Sequence, residues 1–407
     1  MGALTGVRVL DLSRVLAGPW CSQILADLGA DVIKIERVGA GDDTRAWGPP
    51  YMKSPSGEET SEASYYQSSN RNKRSVAVDI SCAEGQEIVR ALAAESDVFI
   101  ENFKAGSLKK YGLDYEALSE VNPRLVYCSI TGFGQTGPRA REPGYDFIVQ
   151  GTGGLMSITG ERDDLPGGGP QKVGVAVADV MTGLYSVIAI QAALLAREKI
   201  GKGQYCDMAL LDVQVAALGN QSQNYLSTGV SPGRYGNAHA NIVPYNVFRA
   251  VDQDFIIACG NDHQFIALCN AIGLPEFPLD PRFSKNEDRV RNRADVTRIL
   301  SDHFKKDKAK VWVDKIYSVG VPVGLINDIA GALAEPQVEA RGMVVNIPHC
   351  MNPDFKMVGS PIKLSATPVE YARPAPLLGE DTDVVLSEFI GISSEQLSIL
   401  KSKRVIG

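Results

Sequence analysis

The stretch VRVLDLSRVLAGPWCSQILADLGADVIKIER, residues 7–37, decides the fold class. Its first seven residues form an apolar run that is typical of a buried strand, and a second such run closes the stretch at 31–37. Between them lies a helical pattern that ends at Gly29, with Pro19 expected as the first helical residue. A strand, a helix and a strand in this order predict two parallel strands joined by a crossover helix.

The same alternation continues along the chain. Further strands are predicted at 75–80, 97–103 and 124–133, with a helix at 83–94. These elements indicate an α/β protein built on an open parallel sheet, and such sheets bind ligands at the carboxyl ends of their strands. The first turn lacks the GxGxxG fingerprint and the chain has no Walker A motif, which counts against a nicotinamide-dependent dehydrogenase.

The composition excludes several classes of protein. The 407 residues carry a net charge of −7 and the pI is about 5.3, which argues against a nucleic-acid partner. The seven cysteines form no CxxC pair and the four histidines no HExxH spacing, so neither a disulfide frame nor a metal site is expected. Neither a signal-like opening nor an uncharged apolar run of about 18 residues is present. A cytoplasmic protein without a membrane partner is expected.

Two stretches rich in glycine, proline or asparagine mark boundaries, at 229–244 and at 320–326. The region between them is expected to be a smaller unit of helices and strands. The remaining tail, 335–407, holds short strands and a helix near 382–400, and is too small to stand alone.

Asp179 is the only acid between Val173 and Ala196, a run of otherwise apolar, small or uncharged residues. A helix is expected to begin near Val180, which makes Asp179 a candidate N-cap. The alternative is a nucleophile, because a desolvated carboxylate at a helix N-terminus can attack an activated acyl group. The glycine-rich stretch 151–160 could supply a wall that admits the substrate, or simply be a flexible turn.

Basic residues follow several of the predicted strands. Arg37 ends the second strand, a cluster precedes the strand at 75–80, and Asn102–Phe103 leads into another cluster. Each is a candidate contact for a phosphate, and each alone could be solvated surface charge. The clusters comprise Arg71, Lys73 and Arg74 in the first case, and Lys104, Lys109 and Lys110 in the second.

The chain resembles the class III CoA-transferases, the family of formyl-CoA and carnitine CoA-transferases and α-methylacyl-CoA racemases. The motifs that carry the resemblance run in the family's order over nearly the whole chain: VLDLSRVLAGPWCSQILADLGADVIKIERVGAGDDTR, NRNKRSVAVDI, IENFKAGSLKKYGL, NPRLVYCSITGFGQTGP, GYDFIVQGTGGLMSITG, VADVMTGLY and PAPLLGEDT. The resemblance implies a Rossmann-like large domain, a smaller central α/β domain and an interlocked homodimer. It divides the chain into 1–200, a linker 201–228, the small domain 229–318, a linker 319–334, and 335–407 returning to the large domain.

The resemblance also implies the chemistry. Asp179 matches the family's catalytic aspartate, which would form an anhydride with the donor acyl group and then a thioester with CoA. No permanently bound cofactor or metal is implied, and CoA thioesters are substrates. The CoA-binding and substrate-binding positions implied or suggested are Val15, Leu16, Ala17, Arg37, Asn102, Phe103, Lys110, Tyr145, Arg234 and His239.

The substrate pair is inferred from the closest branch of the family. YGNAHANIVPY and the motifs before it look closest to the succinyl-CoA:glutarate type, with Arg234 or His239 facing the distal carboxylate of the acceptor or serving only in a turn. Oxalate, formate or another small acid is the alternative acceptor. The family's racemases carry a histidine where this chain has Tyr145, which disfavours a racemase. A non-catalytic acyl-CoA-binding protein is the remaining alternative.

Overall fold

The structure is a computed structural model that describes residues 1–407, and the chain divides into two compact units. The larger unit comprises Met1–Leu155, Val173–Ser227 and Gln337–Gly407, and the smaller comprises Met156–Lys172 and Thr228–Pro336. The stretch expected as a linker at 201–228 therefore lies almost wholly in the larger unit, to which it supplies a strand of the main sheet.

The first part of the chain holds eight strands: β1 (Arg8–Asp11), β2 (Asp31–Glu36), β3 (Tyr51–Lys53), β4 (Glu59–Ala63), β5 (Lys73–Ala77), β6 (Val98–Glu101), β7 (Val126–Thr131) and β8 (Tyr205–Ala209). Its helices are α1 (Ala17–Asp27), α2 (Ser64–Gln67), α3 (Ala83–Ala94), α4 (Tyr115–Val121), α5 (Asp146–Thr152), α6 (Leu155–Ile158), α7 (Val177–Ile200), α8 (Leu210–Ala216) and α9 (Asn220–Thr228). Short 3₁₀ turns lie at Asp43–Ala46 and Lys109–Tyr111, and β3 and β4 form a separate hairpin.

The main sheet has six strands in the order β5-β2-β1-β6-β7-β8, and every neighbouring pair is parallel. The predicted α/β class and parallel sheet are confirmed. From β1 the chain first builds outward through β2 and β5, and later fills the other side with β6, β7 and β8. The order therefore reverses between β1 and β6, and the loops that leave these two strands diverge there. This switch point is where open α/β sheets place their ligands.

Helices cover both faces of the sheet, as parallel strands require. On one face Leu92 and Leu118 pack with Val385 and Leu386, which come from the far end of the chain. On the other face α1 and α7 pack on the sheet through a second apolar cluster, which includes Leu25. The end of the chain thus completes the core of the larger unit.

Helix α7 carries Asp179 and is long and apolar enough, by length and composition alone, to cross a membrane. Its buried side includes Thr182, Ser186 and Ile190. It approaches α1 so closely that a Cβ on Gly183 would lie 2.8 Å from the carbonyl oxygen of Ala17. The helix is therefore packed as a core helix of the larger unit.

Two predicted helix starts differ from the structure. Helix α7 begins at Val177, three residues before the predicted start, so Asp179 lies inside the first turn and is not the N-cap. Helix α1 begins at Ala17, so Pro19 is its third residue. Both differences arise because the backbone N–H groups of the first turn have no partner within the helix, so that turn requires no particular side chain at any of its positions.

The smaller unit contains a three-stranded antiparallel sheet, in the order β11-β10-β9, packed with helices. Its core is aromatic and includes Phe255, Phe265, Phe304 and Trp312. The strands are β9 (Tyr245–Arg249), β10 (Asp254–Ala258) and β11 (Val323–Leu325). The helices are α10 (Asp262–Ala271), α11 (Asn286–Arg291), α12 (Arg293–Phe304), α13 (Ala309–Tyr317) and α14 (Ile329–Leu333), and a 3₁₀ turn lies at Phe277–Leu279. The next helix, α15 (Pro336–Ala340), lies almost wholly in the larger unit.

The tail belongs to the larger unit. A hairpin of β12 (Val344–Asn346) and β13 (Lys356–Val358) precedes α16 (Thr382–Ile390) and α17 (Ser394–Ser402). The single helix predicted near 382–400 is therefore two helices, separated at Gly391, which adopts a left-handed φ of 67°. The chain then returns beside β5, where the amide of Asp79 donates to the carbonyl of Val405 at 2.8 Å.

Candidate active site

A cavity of about 380 Å³, here called the Asp179 cavity, opens at the carboxyl ends of β1, β6 and β7. The loops that leave β1 and β6 both line it, as the switch point of the sheet dictates. Eight of the residues singled out from the sequence lie on its wall: Val15, Leu16, Ala17, Asn102, Phe103, Lys104, Tyr145 and Asp179. The sheet thus brings together residues that are up to 164 positions apart in the chain.

The first turn of α7 presents Asp179 to this cavity, while another acid caps the helix. Asp146, at the start of α5, accepts a hydrogen bond at Oδ1 from the amide of Ala178 at 2.8 Å and a longer one from the amide of Asp179 at 3.4 Å. Its Oδ2 accepts from Nε2 of Gln150 at 2.7 Å. Asp146 therefore satisfies the free amides, and the carboxylate of Asp179 is left for a ligand.

Burial and, to a smaller extent, the negative charge of Asp146 together raise the pKa of Asp179 from 3.8 to about 7. A carboxylate of this kind is poorly stabilised by its surroundings in the resting protein. When it is ionised it is a better nucleophile than a carboxylate held by an ion pair, because no cation or strong donor has to be stripped away. The geometry therefore favours the nucleophile over the structural cap.

Asp146 is a residue that the sequence reasoning missed. Within the GYD motif the residue predicted to be functional was Tyr145, which is 65% exposed at the wall of the cavity. The only indication in the sequence is an acid at the first position of the helical pattern of α5. The amides that this acid binds lie 32 and 33 residues further along the chain. Sequence spacing alone does not reveal such a cap.

Asn102, expected beside CoA, also fixes the neighbouring loop. Its Oδ1 accepts from the amide of Arg14 at 2.9 Å, and its Nδ2 donates to the carbonyl of Arg14 at 2.7 Å. Both hydrogen-bonding groups of one peptide segment are thus held by one side chain. Asn102 therefore links the loop after β6 to the loop after β1 at the switch point.

A second cavity of about 330 Å³, the basic cavity, lies beside the first and shares Arg14, Phe103 and Ser107 with it. Its wall includes Arg37 and Lys110, two of the predicted phosphate contacts. The side chain of Arg37 is 64% exposed, and its nearest acidic oxygen is 3.9 Å away on Asp43. Arg14, also partly exposed, is paired with the same Asp43 at 2.9 Å, so two partly hydrated arginines share one acid and offer a net positive charge to an anionic ligand.

Glycines do line the Asp179 cavity, but not those of the stretch 151–160. Gly132 follows β7 and Gly144 precedes α5, and both lie on the wall. A Cβ added to either glycine would come within 2.4 Å of the Cα of the other. Only glycine permits this close approach of two backbones, which closes one side of the cavity.

The cluster before β5 is neither a phosphate site nor solvated surface. Arg71 forms a two-point ion pair with Asp27, at 2.9 and 2.6 Å. Arg74 pairs with Asp31, and the fully buried Lys73 lies 3.4 Å from Asp11. These partners lie on α1, β1 and β2, and no pattern in the sequence indicates that they meet these basic residues.

Arg234 and His239 lie in the smaller unit. Arg234 forms an ion pair with Asp163 and donates to the carbonyls of Glu161 and Ser157 at 3.3 and 3.2 Å. Nδ1 of His239 accepts from the amide of Asn241 at 3.0 Å. Arg234 thereby holds the segment Met156–Lys172 to the rest of its unit. These contacts are those of a structural clamp, and the proposed contact with an acceptor acid stays a prediction.

No group of three or more histidine, cysteine, aspartate or glutamate residues is arranged to hold a metal ion. The seven cysteines are all free thiols.

Comparison with known proteins identifies the relatives of this chain. The profile described as CoA-transferase family III matches residues 4–382. The chain is 52% identical to a succinate–glutarate CoA-transferase of Agrobacterium fabrum, over 95% of both chains. It is 42% identical to the human succinyl-CoA:glutarate CoA-transferase, over 99% of this chain and 90% of that one. A crystal structure of a CAIB/BAIF family protein from Brucella suis matches with a TM-score of 0.83 and 49% identity, over 95% of this chain and 99% of that one.

Proposed function

The chain belongs to CoA-transferase family III, and we propose that it moves CoA from succinyl-CoA to glutarate through covalent intermediates on Asp179. The observation that carries this proposal is a partly buried carboxylate without a cation partner, on the wall of a cavity that adjoins a basic cavity. The substrate pair rests on the relatives, two of which are named for succinate or succinyl-CoA and glutarate.

The two cavities suit the two ends of an acyl-CoA. Arg14, Arg37 and Lys110 would hold the phosphates in the basic cavity, and the ring of Phe103, which lines both cavities, would lie along the ligand between them. The pantetheine arm would then run past Val15 and Ala17 toward Asp179. Because charge-assisted contacts far from the reacting atoms provide the binding, the thioester is held in reach of the carboxylate.

The reaction proceeds in four balanced exchanges. The Asp179 carboxylate attacks the thioester carbonyl of succinyl-CoA, a mixed anhydride forms, and CoA leaves as a thiolate. The thiolate attacks the aspartyl carbonyl, which gives an aspartyl-CoA thioester and free succinate. A glutarate carboxylate attacks this thioester and again releases the thiolate, which finally attacks the glutaryl carbonyl. Glutaryl-CoA leaves and the Asp179 carboxylate is restored, with no net uptake of a proton.

The first exchange uses Asp179 in its ionised form, which the site stabilises poorly, and the last exchange restores that form. A bound acyl-CoA excludes water from the cavity, so the carboxylate meets the thioester carbonyl without a hydration shell to displace. Asp146 holds the first turn of α7 in place through the amides of Ala178 and Asp179, and thereby fixes the direction of attack.

A single assay tests the proposal. Purified protein is mixed with succinyl-CoA and a panel of acids (glutarate, mesaconate, oxalate, formate), and new CoA esters are identified by mass spectrometry. We expect glutaryl-CoA to form fastest, Asp179→Ala to form none, and Asp212→Asn, an exposed acid in the first turn of α8, to retain activity. Hydroxylamine added during turnover should convert the aspartyl thioester to a hydroxamate on the peptide that contains Asp179.

Other outcomes revise separate parts of the proposal. Faster formation of a different ester would keep the mechanism and replace glutarate as the acceptor; a relative from Acetobacter aceti, 40% identical, is named an acetyl-CoA:oxalate CoA-transferase. Full activity of Asp179→Ala would overturn the covalent mechanism. Proton exchange at the α-carbon of an acyl-CoA in deuterium oxide would support a racemase instead.

We also propose a cytoplasmic homodimer. Helix α7 leaves Leu184, Ile188 and Leu195 exposed, by 45, 60 and 72%, and a contiguous apolar helix face favours burial against a second chain. Sedimentation at micromolar concentration should give a mass near 88 kDa, about twice that of one chain of 43.8 kDa, and a monomer would contradict the proposal.

A further inference from the structure

We propose that the buried ion pair Lys34–Asp42 is a positioning device for catalysis: it holds Val15 in a left-handed backbone conformation and so fixes the loop that lines the Asp179 cavity. The inference rests on the proposed binding of the CoA ester along this loop. It assigns a role to two residues that do not touch the reacting atoms.

The conformation of Val15 is unusual. Its φ is +71°, in the region that suits glycine, and Val15 is the only β-branched residue of the chain with a positive φ. For an L-residue the left-handed region is disfavoured by roughly tenfold or more in population. Strain of this kind persists only when the surrounding structure enforces it, and it concentrates at functional sites.

Side chains from other parts of the chain form hydrogen bonds with the backbone of each residue from 13 to 15. The amide of Ser13 donates to Asp11 at 2.8 Å, and the carbonyl of Ser13 accepts from Nζ of Lys34 at 2.8 Å. Asn102 holds both the amide and the carbonyl of Arg14. The amide of Val15 donates to the carboxylate of Asp42, at 3.2 and 3.3 Å.

The neighbours of Asp42 keep its carboxylate ionised. Burial alone would raise its pKa, but the charge of Lys34 and the hydrogen bonds from Thr44 outweigh burial and lower the pKa to about 2. Both side chains of the pair are fully buried, with 2.9 Å between Nζ of Lys34 and Oδ2 of Asp42. The same ammonium group thus holds Ser13 directly and Val15 through Asp42.

An asparagine at position 42 would break this arrangement with little change of shape. Oδ1 is needed by Thr44, whose amide and hydroxyl donate to it at 3.0 and 2.8 Å. The new Nδ2 would then face the ammonium of Lys34 and could not accept from it. The amide of Val15 would lose its contact to Oδ2 and keep only the 3.2 Å contact to Oδ1, which already accepts twice from Thr44. The clamp on the left-handed conformation of Val15 would therefore be weakened.

The test is a double-mutant cycle between Asp42→Asn and substitutions at Val15. We expect Asp42→Asn to raise KM for succinyl-CoA about tenfold with kcat changed less than twofold, since Asp179 lies on a different element. Adding Val15→Gly should restore most of the lost affinity, because glycine adopts the left-handed region without a clamp. Adding Val15→Ala, which keeps a Cβ, should restore little.

A purely structural role of the ion pair predicts a different pattern. Asp42→Asn would then lower the active fraction, so kcat would fall with KM unchanged, and glycine and alanine at position 15 would act alike. Either result overturns the proposal. If Asp42→Asn does not fold, the double variant Lys34→Met with Asp42→Leu removes the clamp without leaving a buried charge, and the same rescue by glycine is expected.

Hydrogen exchange separates this inference from the proposed function. In the full-length protein without ligand, Asp42→Asn should speed exchange of the amides at 13–16 at least tenfold, while the amides of β7 keep their protection. If the wild-type protein binds no CoA ester, the function fails and the exchange result still decides the positioning role. Unchanged exchange at 13–16 would refute that role even in an active enzyme.

Discussion

Replacing Asp179 by asparagine should stabilise the folded protein at neutral and alkaline pH while it abolishes transfer. The substitution keeps the size of the side chain and removes only its charge. In the wild type that charge is desolvated and lies near Asp146, and together these effects raise the pKa of Asp179 to about 7. The folded state therefore binds a proton at this position more tightly than the unfolded chain does.

The difference between about 7 and the ordinary 3.8 corresponds to roughly 4 kcal/mol, at about 1.4 kcal/mol per unit, as an upper limit. Water in the cavity screens the charge, so we expect ~2 kcal/mol. Below pH 3.8 the carboxyl group is protonated in both states and costs nothing. As the pH rises toward 7 the unfolded chain ionises first, so this contribution to the stability of the wild type is lost between about pH 4 and 7.

Thermal unfolding at pH 5 and pH 8 measures the effect. Asp179→Asn should melt about 2 °C above the wild type at pH 8 and less far above it at pH 5, where only part of the contribution has been lost. Asp212→Asn is the matched control, because it removes an exposed acid from the first turn of α8 and should show no such gain at pH 8. An Asp179→Asn variant that is less stable than the wild type at both pH values would refute the desolvation argument.

Three further predictions follow from the same contacts. Asp146→Asn removes a negative charge beside Asp179, so the midpoint of the rise of kcat with pH should move to lower pH and the rate at pH 6 should increase about twofold; no movement would contradict the coupling. Lys110→Ala should raise KM for succinyl-CoA about fivefold, less so at high salt, with kcat unchanged, if it binds a phosphate in the basic cavity. Arg234→Ala should destabilise the packing of the segment Met156–Lys172 by about 1–2 kcal/mol, which should appear as faster tryptic cleavage after Arg162. A large loss of kcat with no change in cleavage would instead favour a direct contact with the acceptor.

The sheet could be predicted from the sequence because its strands are continuous apolar runs separated by helical patterns. The predicted helix 83–94 coincides with α3, and the strands predicted at 97–103 and 124–133 contain β6 and β7. The predicted carboxyl ends of the strands lie one to three residues beyond the observed ones, since apolar side chains continue past the last paired residue. What the alternation could not give was the order of the strands, and with it the switch point between β1 and β6.

The basic cluster before β5 shows the limit of reading charge from sequence. Lysine and arginine are rarely buried without a partner, so surface or ligand contact was the reasonable expectation for Arg71, Lys73 and Arg74. The partners Asp27, Asp11 and Asp31 come from the first 31 residues and meet the cluster only after the sheet has formed. A neighbouring pair, Lys34 and Asp42, is buried in the same way but lies where the sheet binds ligands.

A motif match therefore predicts which residue occupies a position more reliably than it predicts what that residue does. Asn102 matches a pair expected beside CoA, and in the structure both of its polar groups are engaged by the backbone of Arg14. The residues that give the site its shape act across the switch point in the same manner: Asp146 on the first turn of α7, Asn102 and Asp42 on the loop after β1. Each joins a side chain to a backbone amide in another element, and an amide has no sequence signature. It follows that substitutions at these three positions should change the binding or orientation of the CoA ester more than they change the apolar cores, which the helices form independently of them.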